Sequence, residues 1–331
     1  MDIHTVRPHQ LDAATAEELA ELRNRATAVD APQMPPETGA ILRLRLVHGW
    51  DGEGTERVLL ARDDAGRLLG FAELEMPEQE NLSLIWFNLA VDPAVRRRGI
   101  GSALLHAIGE VSTEVGRELL MSGAWYGTPG TAFLKRHEFA QASIAAQRRL
   151  HPDRLPRPGD EELLERARTA SADYEVLRLP GPLPEELLAS MLPMVEQIND
   201  APLDDLELDD DVFTVERLRR YDAAQLAQEQ RLYRVVARTR DGLPAAHTVV
   251  AVDGRRPYHG EQHDTTVRRE HRGHRLGLRL KLEMLAWLRE AEPQLRQIDT
   301  WNQESNTPMI AVNDAIGCTV VGREVEFQRR L

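Results

Sequence analysis

The stretch Leu89-Ala90-Val91-Asp92-Pro93-Ala94-Val95-Arg96-Arg97-Arg98-Gly99-Ile100-Gly101 decides how the rest of the chain is read. It reads as a buried strand that turns at Asp92-Pro93, passes through a loop of arginines and glycines, and enters a helix. Small residues let a loop backbone approach a ligand closely, and the N–H groups at a helix start form an anion site. A pyrophosphate would be held there largely by backbone. The spacing is Arg-x-x-Gly-x-Gly, which is neither the Gly-x-Gly-x-x-Gly of a dinucleotide site nor the Gly-Lys-Ser/Thr of a P-loop. Taken alone, such a loop also reads as a plain strand-to-helix connection.

Repetition weighs against the plain connection. In the first half, strands at 58–62 and 68–75 flank Asp63-Asp64-Ala65-Gly66; in the second, strands at 232–240 and 245–252 flank Asp241-Gly242, a tight-hairpin sequence. Strands at 82–91 and 259–267 follow, then an Arg/Gly loop in each half, then helices at 101–116 and 277–290. Val91 and Val267 are 176 positions apart, as are Gly101 and Gly277. The run from His151 to Asp160 carries Pro152, Pro156 and Pro158, too many for regular structure. The expected division is a domain at 1–150, a Pro-rich linker at 151–172 with a short helix near 161–169, and a domain at 173–331 opening on a strand at 174–179. A length of 331 residues, about twice a single domain, agrees with this.

The formal net charge of -13 argues against nucleic acid or an anionic membrane as partner. Two local basic runs, Arg96-Arg97-Arg98 and the stretch holding Arg268, Arg269, His271, Arg272, His274 and Arg275, suit a small phosphorylated ligand better than a polymer. A single cysteine, Cys318, excludes an intrachain disulfide and a multi-cysteine metal site, and no metal is expected. The start lacks a basic-then-apolar signal and no stretch approaches a membrane span, so the expected location is the cytoplasm. The acidic segment 204–211 reads as a solvated loop between helices.

With the strand before it, the loop at 89–101 resembles the acetyl-CoA loop of the GCN5-related N-acetyltransferase (GNAT) superfamily, and the resemblance covers nearly the whole chain, once per half. It implies an α/β (α+β) architecture of two GNAT folds in tandem, each a mixed, mostly antiparallel sheet flanked by helices. It also implies an acyltransferase with acetyl-CoA as donor and a small-molecule amine as acceptor, acting as a monomer or homodimer. The donor-binding residues it implies in the first copy are Leu89, Ala90, Val91, Arg96, Arg97, Arg98, Gly99, Ile100, Gly101 and Ser102. In the second they are Thr266, Val267, Arg272, Gly273, His274, Arg275, Leu276 and Gly277, with Asn302 and Asn306 along the pantetheine arm. At the constant offset Arg275 replaces Gly99, so the second loop has lost its middle glycine. The segment Thr300 to Cys318 is similar to that of catalytically competent members, with Cys318 in place of the usual Phe, and Asn306 is expected both to cap the helix at Thr307-Pro308 and to line the cleft. The first half instead has Glu138 where the family prefers Gly.

Family chemistry is direct attack of an amine on the thioester, which needs a base and a proton for the departing thiolate. The family often places Glu six residues before the final Val of the strand; here that is Glu261, and the offset puts Ile85 there in the first half. Glu261 is therefore the base candidate, with His263 and Asp264 as substitutes acting through a water; a solvated strand-end carboxylate is the competing reading. Where members carry the Tyr acid stand Asn313 and Leu134, neither of which titrates usefully. Asn313 would position a water or bond the thiol, and backbone amides near Thr266 and Val267 would polarise the carbonyl. On this balance the second half is expected to be the catalyst. The absent Tyr leaves open a non-catalytic acyl-CoA sensor, and transfer to a protein terminus or lysine is a further alternative.

Overall fold

A computed structural model describes all 331 residues. By its contacts the chain forms two compact units, one of Met1–Ile144, Asp204–Asp209 and Gly322–Leu331, the other of Ala145–Leu203 and Asp210–Val321.

The first unit runs β1 (Asp2–Val6), α1 (Ala13–Asp30), α2 (Gly39–His48), β2 (Thr55–Arg62), β3 (Leu68–Glu75), β4 (Leu84–Val91), α3 (Ile100–Val115), β5 (Leu119–Trp125) and α4 (Pro129–Arg136). Asp12 starts α1 by accepting the Thr15 N–H at 2.7 Å, and Thr38 starts α2 by accepting that of Ile41. Helices cover both faces of the sheet. Leu104 and Ile108 of α3 bury against Ile85, Phe87 and Leu120, while Leu19, Leu22, Leu42 and Leu46 of α1 and α2 bury against Leu60 and Phe71. Each such side chain contributes about 1.5–3 kcal/mol.

The second unit contains α5 (Asp160–Ala170), β7 (Glu175–Pro180), α6 (Glu185–Val195), α7 (Val215–Ala227), β8 (Gln230–Arg238), β9 (Pro244–Asp253), β10 (His259–Val267), α8 (Leu276–Ala291), β11 (Gln297–Gln303) and α9 (Thr307–Ala315).

The last strand of each sheet comes from the opposite half of the sequence. In the first unit β12 (Thr319–Arg330) pairs antiparallel with β5, from Glu324↔Trp125 to Arg330↔Leu119. In the second, β6 (Ala140–Leu150) pairs antiparallel with β11, from Leu150↔Ile298 to Ala145↔Gln303. The sheets therefore read β1-β2-β3-β4-β5-β12 and β7-β8-β9-β10-β11-β6. This differs from a division into contiguous stretches 1–150 and 173–331, and the reason is physical. Without the exchanged strand, β5 and β11 would each present a row of unpaired N–H and C=O groups. Within 151–172 the short helix expected near 161–169 forms as α5, which buries Ala167 in the second core, and Arg168 donates to Glu283 at 2.9 Å.

Each unit has one parallel strand pair that parts. β4 pairs with β5 only through Leu84↔Leu119, Ile85↔Leu120 and Trp86↔Met121, and β10 with β11 only through His259↔Gln297, Gly260↔Ile298 and Glu261↔Asp299. Beyond these residues the strands diverge and leave a gap open to the loop at the strand end.

The strands before the gap differ. β3 and β4 keep one register from Gly70↔Val91 to Glu75↔Trp86, whereas the β9–β10 register shifts between Gln262 and Thr265, so that His263 and Asp264 stand opposite Val249 alone. This is a β-bulge, an extra residue that bends the strand and re-aims side chains. The Gln262 side-chain amide fills the break, donating to the carbonyls of Val249 at 2.5 Å and Asp264 at 3.2 Å. The bulge also corrects the sequence register. The offset of 176 holds only after it; before it, Glu261 corresponds to Trp86, since each is the last residue paired to the next strand, and Ile85 corresponds to Gly260.

Candidate active site

In the first unit a cavity of about 470 Å³ occupies the parting of β4 and β5. Leu89, Ala90 and Val91 line its strand side, Arg96, Arg97 and Gly99 its loop, and Ile100, Gly101 and Ser102 the start of α3; Arg98 is not among its lining residues. The Asp92 N–H bonds back to Leu69 at 2.9 Å, so strand alternation turns the N–H groups of Leu89 and Val91 toward the gap. The N-cap of α3, Gly99, offers no side-chain cap, which leaves the first-turn N–H groups unclaimed by it. A Cβ at 99 would meet nothing within 4 Å, so the cradle is open on that side. These features fit a pyrophosphate and its arm.

Both loops use two left-handed positions, and the glycine occupies a different one in each. In the first loop Arg97 has φ 67° and Gly99 φ 84°; in the second Gly273 has φ 85° and Arg275 φ 57°. The second loop has therefore moved its glycine two residues earlier. Each loop holds one arginine in a conformation that costs an L-residue about 1–2 kcal/mol.

Arg96 and its equivalent in the second loop, Arg272, are braces. Arg96 donates from Nε to the Val91 carbonyl at 3.2 Å and from both terminal nitrogens to Asp30 at 2.9 and 2.6 Å. Arg272 repeats this with the Val267 carbonyl at 3.1 Å and with Asp200, which also takes Arg269. The hydrogen bond from Arg269, followed by that from Arg272, holds the Asp200 carboxyl far below its usual range.

In the second unit the Arg268 N–H bonds to Ala245, so by the same alternation the N–H groups of Thr265 and Val267, and not that of Thr266, face the gap. The Thr266 hydroxyl is buried against the Met194 carbonyl at 3.3 Å. His274 turns its Nδ1 to the loop carbonyls of His271 and Arg272, and Leu276 belongs to the core beside the start of α8 at Gly277. Asn306 caps α9, accepting the Met309 N–H at 3.3 Å. Asn313 is buried, with its carbonyl taken by Lys281 at 2.8 Å and its amide donating to Asn302 at 2.7 Å, so the group expected to meet the thiol is engaged at both ends.

Glu261 stands exposed on β10. Two and three residues on, the bulge places His263 and Asp264 among groups from α7 and β8. The Tyr221 hydroxyl and His263 Nδ1 are 2.5 Å apart, and the buried Arg234 pairs with Asp222 at 2.6 Å. Burial lowers His263 to about 3, keeping its ring neutral, and holds Tyr221 protonated by raising it well above its normal range. Burial raises Asp264 to about 6, with Arg234 opposing and Asp211 adding to the shift. This is the one acid in the cluster poised near neutrality. Its signal in the sequence was the extra residue in β10, which a constant offset conceals. Sequence reasoning held Asp264 only as a substitute for Glu261, and it missed Glu324, which lines the cavity of the first unit from β12.

Residues 54–141 match the acetyltransferase (GNAT) domain family. In fold the chain is two GNAT folds in one polypeptide. In layout it resembles mycothiol synthase: it is 36% identical over 108 residues to a mycothiol acetyltransferase of Rhodococcus jostii, 32% of either chain, and 33% identical over 141 residues to that of Geodermatophilus obscurus, 42% of either chain. The aligned stretches thus span less than half of those relatives. Among solved structures, a tandem GNAT protein from the clavulanic acid biosynthesis pathway superposes with a TM-score of 0.80 at 22% identity, over 99% of this chain and 98% of the other. A GCN5-related N-acetyltransferase from Sphaerobacter thermophilus gives 0.70 at 16% identity over 99% and 95%. No helix of the chain is long and apolar enough to cross a membrane.

Proposed function

We propose that the chain is an N-acetyltransferase that moves the acetyl group of acetyl-CoA directly to the primary amine of a small molecule, with the second unit as catalyst. The observation that carries this is the bulge of β10, which sets Asp264, raised by burial to about 6, beside a gap lined by the Thr265 and Val267 amides. Asp264 takes a proton from the incoming ammonium. The amine lone pair attacks the thioester carbonyl, and the amides facing the gap stabilise the oxyanion. The C–S bond then breaks, and the sulfur leaves as thiol with the second amine proton. We assign the base to Asp264 in place of Glu261, because the exposed Glu261 lacks the burial that holds a carboxyl near neutrality.

The names of the relatives make a mycothiol precursor one member of the amine panel to be tried. Thiol release from acetyl-CoA in the presence of that panel tests the reading. Turnover that falls about 100-fold in Asp264→Asn supports it. Donor binding without turnover on any amine would convert the chain to an acyl-CoA sensor.

A further inference from the structure

The exchanged strand does more than complete an edge. β12 brings Glu324 beside the end of β5, in register with Trp125, and its side chain lies across Gly123, where any Cβ would collide with the carboxylate. Glu324 is half-buried, forms no hydrogen bond or ion pair within the chain, and lines the same cavity as the loop of Arg97 and Gly99. Alternation fixes its side of the sheet. Val325 and Phe327 enter the core under α3, so Glu324 and Glu326 face the α1 side, away from the phosphate loop's helix.

We propose that the cavity of the first unit is a second acyl-transfer site, and that its base is Glu324, supplied by the last strand of the chain. This rests on the reading that the chain takes acetyl-CoA. With the donor's pyrophosphate at the start of α3 and its arm in the gap, an amine entering from the α1 side meets the Glu324 carboxylate. The carboxylate accepts one ammonium proton, and nitrogen forms its bond to the acetyl carbon. The C–S bond breaks, and the second amine proton leaves with the sulfur as thiol; Glu324 then returns its proton to water.

The charged surroundings agree with such a role. Burial, with Glu326 on the same strand, raises Glu324 to about 7. Two of the cations that line the cavity are already answered. Arg23 of α1 pairs with Glu37 at 2.8 Å and with Glu73, and Arg96 of the loop pairs with Asp30. Arg97, Arg136 and His137 line the same cavity, and the His137 Nε2 lies 3.1 Å from the Ser102 hydroxyl at the start of α3. A carboxyl without a salt-bridge partner therefore titrates inside the cleft.

The test uses the full chain, because residues 1–150 alone would lack β12. In an Asp264→Asn background, turnover should persist, with kcat/KM rising through pH about 7. Adding Glu324→Gln, an isosteric change, should lower that residue of activity at least about 100-fold and remove the limb. Glu324→Asp should fall between the two. Acetyl-CoA affinity by calorimetry should stay unchanged in all three, and the thermal midpoint should not fall in any of them. A double variant equal to Asp264→Asn in rate and pH profile overturns the proposal, as does an Asp264→Asn protein that binds acetyl-CoA in the first cavity but turns nothing over. Failure of the underlying reading looks different: Gly99→Glu would then leave acetyl-CoA affinity untouched.

Discussion

The two units start from one pattern and differ in where each places its carboxylate. In the second, one extra residue in β10 turns His263 and Asp264 toward α7 and β8; in the first, β4 runs unbroken and the carboxylate arrives on β12 instead. A bulge and an exchanged strand thus reach a similar end, a half-buried acid beside a parted strand pair. The gap and the helix start are common to both copies, while the acid is a local addition to each.

The largest expected break in this comparison is at the acid of the second unit. Asp264→Asn should lower kcat by about 100- to 10,000-fold with the fold intact, read by steady-state thiol release. If the rate holds, the bulge is architecture only and the first unit carries the chemistry. Donor binding comes next. A negative side chain at Gly99 faces the place of the pyrophosphate, and Gly99→Glu should cut acetyl-CoA affinity of the first cavity by about tenfold or more, or ~1.4 kcal/mol. Calorimetric titration that loses one of two sites would sharpen the comparison; unchanged binding would place the donor elsewhere.

Stability against pH separates the acids again. Glu324 and Asp264 both have folded-state values raised above their ordinary 4.5 and 3.8 by burial, to about 7 and about 6. The folded state therefore binds their protons more tightly than the unfolded one, so their favourable contribution is full below about pH 4 and is lost as pH rises through 6 to 7. Discounted for access from the cleft, Glu324→Gln should recover about 1–2 kcal/mol at pH 8 and little at pH 4, measured by urea denaturation. The smallest effect belongs to the loops. Arg275→Gly should raise stability by about 0.5–1 kcal/mol by relieving a left-handed arginine, and Gly99→Ala should lower it by a similar amount.

Much of the fold could be read along the chain. The strand-loop-helix at 89–101, its echo at 265–277 and the hairpins before them come from local periodicity and turn chemistry, and α3 and α8 begin within a residue of expectation at Ile100 and Leu276. Asn306 as a cap was legible for the same reason, since capping is decided within one turn. The site was less so. Arg96 and Arg272 read as phosphate ligands because their charge is visible in sequence, whereas the aspartates that occupy them lie 66 and 72 residues away.

By itself, then, the sequence determined the duplication, the Arg/Gly loops and the order of elements, because each is set by neighbours within a turn or a hairpin. Only the tertiary structure decided which strand completes which sheet, that Glu261 matches Trp86, and that Asp264 and Glu324 are acids raised toward neutrality beside the gaps. Those depend on pairing partners far apart in the chain and on desolvation, which exists only once the sheets have closed around the groups.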